Sequence, residues 1–392
     1  MNLSRNIKLL SWFNFFTDFK LYGPIAIIYF AHVSHSYALG AAIFSIAYIT
    51  SSIFDVPTGI FSDRIGRKKT IILGATTAVI YAIFYAIGIN FWILAIGAVF
   101  EGLSRAFYSG NNNALLHNML SEEGLEHDYH AYLGKLSSLF QVALAVSGLL
   151  GALIATWSFP LIMWLSVIPQ VLCVFISFKI IDSKKVVEYT TSIFADLKEG
   201  LMEFVNNSNL RLLSIASILD YGIGETSYQF QAAFYNLVLP IWAVGVAKTL
   251  SNVGAAIGFS FSGKIIGKFK ALNILLFGEI YSKVVNVIAL VFPTALSPFL
   301  MASNSLFFGT GSVAQGTLMQ KEFTDKQRAT MSSLNSFAGS LFFGLFAFMT
   351  GLFADKVGPR NALLITQAFS LSVIWVTVKL FRAQRKQPAV AL

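Results

Sequence analysis

The chain has 392 residues, 56% of them hydrophobic and only 12% charged, with a formal net charge of +9. Soluble domains carry about a quarter of their residues as charges, so an ordinary water-soluble enzyme is excluded. Apolar stretches of twenty or more residues recur from end to end, which places the chain in a bilayer, where one span takes about 20 residues.

Hydropathy predicts twelve helical spans: 7 to 31, 38 to 62, 70 to 89, 91 to 117, 131 to 156, 159 to 180, 210 to 236, 240 to 263, 271 to 292, 297 to 319, 328 to 352 and 360 to 381. The start imitates a signal peptide, but its apolar run is too long, contains Asp18 and Lys20, and lacks a small-residue cleavage site. It is therefore read as a retained first helix. Asp18 falls roughly 16 Å into that helix, near the middle of the hydrocarbon layer. Lys20, two residues on, is expected to point to nearly the opposite side.

The second span leads into Asp55-Val-Pro-Thr-Gly59-Ile-Phe-Ser-Asp63-Arg64-Ile-Gly66-Arg67-Lys68-Lys69. Gly59 is read as a site of close helix packing, Gly66 as the pivot of a tight turn and Asp63 as a helix cap, with the basic run holding the loop at the cytoplasmic face. In the fourth span Glu101 and Arg105 are four apart and share a helix face, so an intrahelical pair is expected. Asn111, Asn112 and Asn113 follow, either as cavity lining or as interhelical hydrogen-bonding groups. The acidic segment from Glu122 to His130 is read as a solvated loop rather than a metal site. Cys173 is the single cysteine, so no disulfide within the chain is possible.

Residues 183 to 209 are polar and amphipathic and are read as a cytoplasmic linker with an interfacial helix, between bundles at 1 to 182 and 210 to 392. In the seventh span Asp220 lies roughly 15 Å deep. Glu225, Tyr228 and Gln229 follow it as polar candidates for a cavity wall. Lys248 in the eighth span is a further candidate, and Glu279 with Lys283 in the ninth is read as a structural i,i+4 pair. Ionisable groups at membrane depth cost about 2.5 to 3.5 kcal/mol each at the bilayer centre, so each must pair, face water or do chemistry.

With the N-terminus in the cytoplasm, and residues at cytoplasmic span ends counted as inside, the inside segments hold 22 basic and 13 acidic residues. The spans hold 4 and 5, and the outside 2 and 1. The inside loops thus account for the whole net charge. It reports orientation and lipid-headgroup contact, with both termini cytoplasmic, and no nucleic-acid partner.

An internal duplication is also visible. Asp18 matches Asp220 at an offset of 202, Ile65-Gly66-Arg67 matches Ile266-Gly267-Lys268 at 201, and Gly110 matches Gly311 at 201. Leu136-Ser137-Ser138-Leu139 matches Met331-Ser332-Ser333-Leu334 at 195. Two pseudo-symmetric six-helix bundles follow, with a site expected between them near the midplane.

The loop from Gly59 to Lys69 closely resembles the cytoplasmic signature G-x-x-x-D-R-x-G-R-[RK] of the major facilitator superfamily, and the twelve spans, linker and duplication resemble that family throughout. The resemblance implies an all-α alternating-access transporter whose helices 1, 4, 7 and 10 line a cavity. It implies that Asp63 meets the start of helix 11 and that Arg67 joins a charge network latching the outward-open state. Three departures stand out. Lys264 replaces the acid in the second-half loop, Asn118 and Glu122 stand where an acidic partner of Arg67 is common, and Ser109 with Gly110 replaces the glycine that usually follows the proton-coupling arginine, here Arg105. Ser147-Gly-Leu-Leu-Gly151 also lacks the proline of the family's drug/proton antiporters.

The expected function is secondary active transport of a small charged or zwitterionic molecule, driven by protons, by a monomer in a bacterial cytoplasmic membrane. Asp18, Glu101, Arg105, Asp220 and Glu225 are the candidates for proton coupling. Lys20, Asn111, Tyr228, Gln229 and Lys248 are further cavity candidates, and Gly59, Asp63, Arg64, Gly66, Arg67 and Lys68 form the gate. No cofactor is expected. Efflux, an uncoupled facilitator and a non-transporting receptor are the alternatives, the short tail from Lys379 to Leu392 arguing against a receptor. No Walker lysine loop, nucleophile elbow or HExxH pattern is present to support ATP-driven transport or hydrolysis.

Overall fold

The computed structural model describes residues 3–109, 111–122, 124–125, 127, 129–181, 202, 204–322 and 328–386. Most of the predicted linker, Gly110, Glu123, Glu126, Asp128 and the tail beyond 386 lie outside these residues, as do the side chains of Asp63, His130, Ser137 and Ser138.

The described residues form helices α1 (Leu3–Asp18), α2 (Ala26–Ser34), α3 (Tyr37–Ile65), α4 (Arg67–Ile87), α5 (Phe91–Tyr108), α6 (Asn111–Glu122), α7 (Tyr129–Ala155) and α8 (Phe159–Lys179). Then come α9 (Ser208–Val238), α10 (Ile241–Phe269), α11 (Ala271–Val291), α12 (Ser297–Ala302), α13 (Asn304–Glu322) and α14 (Arg328–Lys386). Each predicted span has a helical counterpart. The first, fourth and tenth are each made of two helices, and α14 holds the eleventh and twelfth, parted at Gly358. By length and apolarity alone, seven stretches among the described residues could cross a membrane.

The burial pattern is that of a protein in lipid. On α8 the large apolar side chains of Leu161, Trp164, Ile168, Leu172 and Phe175 are exposed, while Ser166, Gln170, Cys173 and Ser177 are buried. A soluble helix would show the reverse. In hydrocarbon the apolar face has nothing to gain by turning inward, and polar groups find their partners inside the bundle.

The chain divides into two units: Met1–Glu188 with Leu239–Thr249, and Tyr189–Val238 with Leu250–Leu392. In the first, α3 packs on α5, α4 lies between α5 and α8, and α1 rests against α7 and α8. Leu10 and Phe13 of α1, Ile71 and Ala75 of α4 and Leu115, Leu116 and Met119 of α6 share one buried cluster. In the second, α9 runs along α14, and α11 packs on α13 and α14.

The first and fourth spans differ from the uninterrupted helices expected. α1 stops at Asp18, and the chain turns through Lys20 to Tyr22 before a 3-10 turn at Gly23–Ile25 starts the next helix. Pro24 is the physical cause: it has no N–H to donate, and its ring would clash with the Lys20 carbonyl of a continuous helix. Gly151 of α7 makes room for the interruption, because a Cβ there would run into the Leu21 carbonyl oxygen. The matching α9 continues unbroken past Asp220 to Val238, with its first following proline at Pro240. The duplication is therefore not kept in the local backbone.

The loop after α3 turns on Gly66, whose φ of 97° lies in a region that side chains disfavour, and its N–H donates to the Ser62 carbonyl at 2.9 Å. Gly59 has no close neighbour among the described residues: a Cβ there would meet none of their atoms within 4 Å.

Candidate functional site

Where α1 and the fourth span are interrupted, the first unit holds a cavity of about 380 Å³. Its wall takes Asn14, Thr17 and Asp18 from the last turns of α1, Lys20 from the turn beyond, and Tyr81 from α4. α5 supplies Glu101, Ser104, Arg105 and Tyr108, the interruption supplies Ser109, α6 supplies Asn112 and Asn113, and α8 supplies Gln170. The volume suits a small organic molecule.

Glu101 is the electrostatic centre, only 6% exposed. Its Oε1 accepts from Lys20 Nζ at 3.0 Å and from Arg105 Nη2 at 3.0 Å and Nε at 3.3 Å. Its Oε2 accepts from the Tyr85 hydroxyl at 2.8 Å. The i,i+4 pair with Arg105 is thus joined by a second cation from the first span. Both cations also sit against aromatic rings, Lys20 Nζ 5.2 Å from the centre of Tyr81 and Arg105 Cζ 4.7 Å from that of Tyr48.

Asp18 and Lys20 line the same cavity. The expectation that they point apart assumed a continuous helix, and the backbone leaves the helix between them. The Asp18 carboxylate interacts through space with Lys20 and Arg105. Among the described residues, no hydrogen bond or ion pair reaches it.

Two amides complete the lower wall. Gln170, 1% exposed, donates Nε2 to the carbonyls of Phe16 at 3.3 Å and Thr17 at 3.4 Å, capping the end of α1. Asn112 Nδ2 donates to Asn14 Oδ1 at 3.2 Å. Both Gln170 Oε1 and Asn112 Oδ1 are buried without a hydrogen-bond partner among the described residues.

Several candidates are placed elsewhere. Asn111 is buried and joins α6 to the end of α3 and the loop after it: its Oδ1 accepts from Ser62 Oγ at 2.8 Å and its Nδ2 donates to the Arg67 carbonyl at 3.0 Å. It is therefore a connector rather than a cavity residue, because the interruption before α6 turns it toward the Gly66 loop. Lys248 is also outside the wall, buried in the part of α10 assigned to the first unit, where Thr249 Oγ1 donates to the Ala145 carbonyl of α7 at 3.3 Å. Arg64 is exposed, Arg67 and Lys68 are half-buried in the loop, and Asp63 is described in backbone only.

Asp220, Glu225, Tyr228 and Gln229 belong to the second unit. Asp220 interacts electrostatically with Glu279, which pairs with Lys283 at 3.4 Å. The ninth-span pair is thus linked to the seventh span. Glu225 Oε1 accepts from Gln229 Nε2 at 2.7 Å, and the Tyr228 hydroxyl donates to Asn252 Oδ1 at 3.4 Å.

The sequence reading did not single out Tyr81, Tyr85, Tyr48, Asn14 or Gln170. Gln170 had a usable signal, a lone amide beside Pro169 in an otherwise apolar span. The tyrosines had none, since their importance depends on which helix faces Lys20 and Glu101.

A family model described as Major Facilitator Superfamily matches residues 9–347. A search of curated proteins finds no significant match. Among solved structures, the chain is similar to the nucleoside transporter NupG, with TM-score 0.81 and 13% identity over 97% of this chain and 100% of that one. It is similar to a bacterial homologue of the human lysosomal transporter Spinster in an inward-facing conformation, with TM-score 0.78 and 14% identity over 99% of each chain. The peptide transporter POT in complex with sulfate gives 0.76 and 14%, over 97% and 94%. At these identities the likeness is one of fold.

Proposed function

Because the chain belongs to the major facilitator superfamily, and is therefore a membrane transport protein rather than an enzyme, we propose that it is a proton-coupled secondary transporter of a small charged or zwitterionic molecule. The rocking bodies in this reading are residues 1 to 182 and 210 to 392, joined by the linker at 183 to 209. The protein works as a monomer in a bacterial cytoplasmic membrane with both termini inside.

The observation that carries the reading is Glu101, one buried carboxylate holding two cations at 3.0 Å. Such a group acts as a switch. Ionised, it engages both Lys20 and Arg105. When a proton neutralises it, its hold on both weakens, and Arg105 turns to an anionic group of the substrate. Proton and substrate then load together, which is symport. Asp18 lies in the same cavity and takes part in binding. Asp220, with Glu279 and Lys283, is a second proton-responsive group, and Glu225 with Tyr228, Gln229 and Lys248 supplies polar surface for the path.

The gate comprises Gly59, Asp63, Arg64, Gly66, Arg67 and Lys68. Its connection to the cavity rests on Asn111, which hydrogen-bonds to Ser62 and Arg67, while the next residue, Asn112, lines the cavity. A movement of α6 on substrate binding therefore pulls on the loop.

The test uses vesicles containing the full chain and loaded with a pH-reporting dye. Addition of mixed amino acids and small carboxylates outside is expected to acidify the interior, and to do so faster when the interior starts alkaline. Solute entry without any pH change would leave an uncoupled facilitator, interior alkalinisation an antiporter, and no solute movement would contradict the transport reading for these substrates.

A further inference from the structure

The cavity wall holds an unpartnered hydroxyl, Tyr108 Oη, and three unpartnered acceptors, and the acceptors specify one end of the ligand. Three acceptors belong to cavity residues around the end of α1 and have no donor among the described residues. Among the described residues, Gln170 Oε1 and Asn112 Oδ1 are buried and unpartnered, and no hydrogen bond reaches the Asp18 carboxylate. All three are anchored to the same turn. Gln170 caps the carbonyls of Phe16 and Thr17, Asn112 is held by Asn14, and Asn14 and Asp18 are four apart on one face of α1.

The amide orientation of Gln170 is fixed by chemistry. Exchanging its oxygen and nitrogen would set a third oxygen against two carbonyl oxygens, so Nε2 faces the helix end and Oε1 is the atom left over. The site is also the C-terminus of a helix, where the backbone dipole favours positive charge. Lys20 and Arg105, the cations of the wall, form their ion pairs with Glu101.

Resting on the transporter reading above, we propose that this cavity takes a ligand bearing a protonated amine, with the ammonium seated against Asp18, Gln170 Oε1 and Asn112 Oδ1 and an anionic group directed to Arg105. An ammonium brings three N–H donors to three acceptors and a positive charge to one carboxylate. A cavity of about 380 Å³ has room for an organic molecule that spans both poles, far more than a lone metal cation fills.

The experiment measures the Tm of the purified full chain in detergent with amino acids of small, aliphatic and aromatic type, and with the N-acetyl and des-amino form of each. Sodium chloride is compared with choline chloride as a separate arm. At least one free amino acid is expected to raise Tm, with its N-acetyl and des-amino forms inactive. Asp18→Asn is expected to weaken that response at least about tenfold, and Gln170→Leu to weaken it too. Asp18→Glu should restore part of it, which separates lost binding from lost folding. Equal stabilisation by a des-amino form, an Asp18-dependent rise with sodium but no amine, or silence across the panel would overturn the proposal. Vesicle transport of a solute without an amine would overturn it too, while leaving the transporter reading intact. Binding of an amine without transport would do the opposite.

Discussion

Glu101→Gln is expected to lower the unfolding free energy by about 2 to 4 kcal/mol, seen as a clear fall in Tm of the purified protein. Removing one member of a buried ion pair costs about 3 to 5 kcal/mol, because the partner is left charged and desolvated. Here two partners are left, but the Arg105 side chain is 40% exposed to the cavity and the Lys20 side chain 18%. Water reaches Arg105 in particular, which moderates the loss. The diagnostic variant is the double one. Lys20→Met alone removes a partner from Glu101 and is also expected to destabilise. In the Glu101→Gln background it removes an uncompensated cation, so the double variant should be more stable than Glu101→Gln alone. If the two losses simply add, the three groups do not act as a unit.

Gly151→Val is expected to abolish ligand binding and transport, with a loss of about 1 to 3 kcal/mol from overpacking. A side chain at this position must displace the Leu21 carbonyl. That carbonyl belongs to the turn that carries Lys20 out of α1 and toward Glu101, so the shift separates the two charges. Gly59→Ala is the control for stability: a Cβ there meets nothing within 4 Å among the described residues, and Tm should change by less than the equivalent of about 0.5 kcal/mol. A Gly151→Val protein that binds ligand and melts like the wild type would show that the interruption of α1 does not depend on α7.

The twelve spans were legible because a membrane helix must satisfy its backbone internally and present an apolar surface, which leaves long hydrophobic runs between short charged loops. The duplication read from Asp18 and Asp220 and from Gly66 and Gly267 is not matched in the local backbone: α1 ends at Asp18 while α9 continues past Asp220, and the loop turns at Gly66 in the first half but at Lys270 in the second. The interruptions were not read, although Gly23-Pro24 is a strong break signal and Ser109-Gly110 a weaker one. Hydropathy averages over such dipeptides when the window around them holds enough apolar residues.

The same limit governs the site. Glu101 and Arg105 were found together because four residues make one helical turn, whereas Lys20 is 81 positions from Glu101 and meets it only through the packing of the first unit. The rule that placed Asp18 and Lys20 on opposite sides failed for one reason, that α1 ends at Asp18. Asn111, Asn112 and Asn113 were equivalent in sequence. The helix start at Asn111 separates them, sending Asn111 to Ser62 and Arg67 and leaving its neighbours at the cavity.

The most direct test of proton coupling through Glu101 compares accumulation with exchange in vesicles, using an amine-bearing solute identified by the Tm panel. Wild-type protein should concentrate the labelled solute when a pH gradient is imposed and should also exchange it across preloaded vesicles without a gradient. Glu101→Gln, verified as folded by size exclusion, should retain exchange and lose gradient-driven accumulation. Equal accumulation by the variant and the wild type would contradict the account.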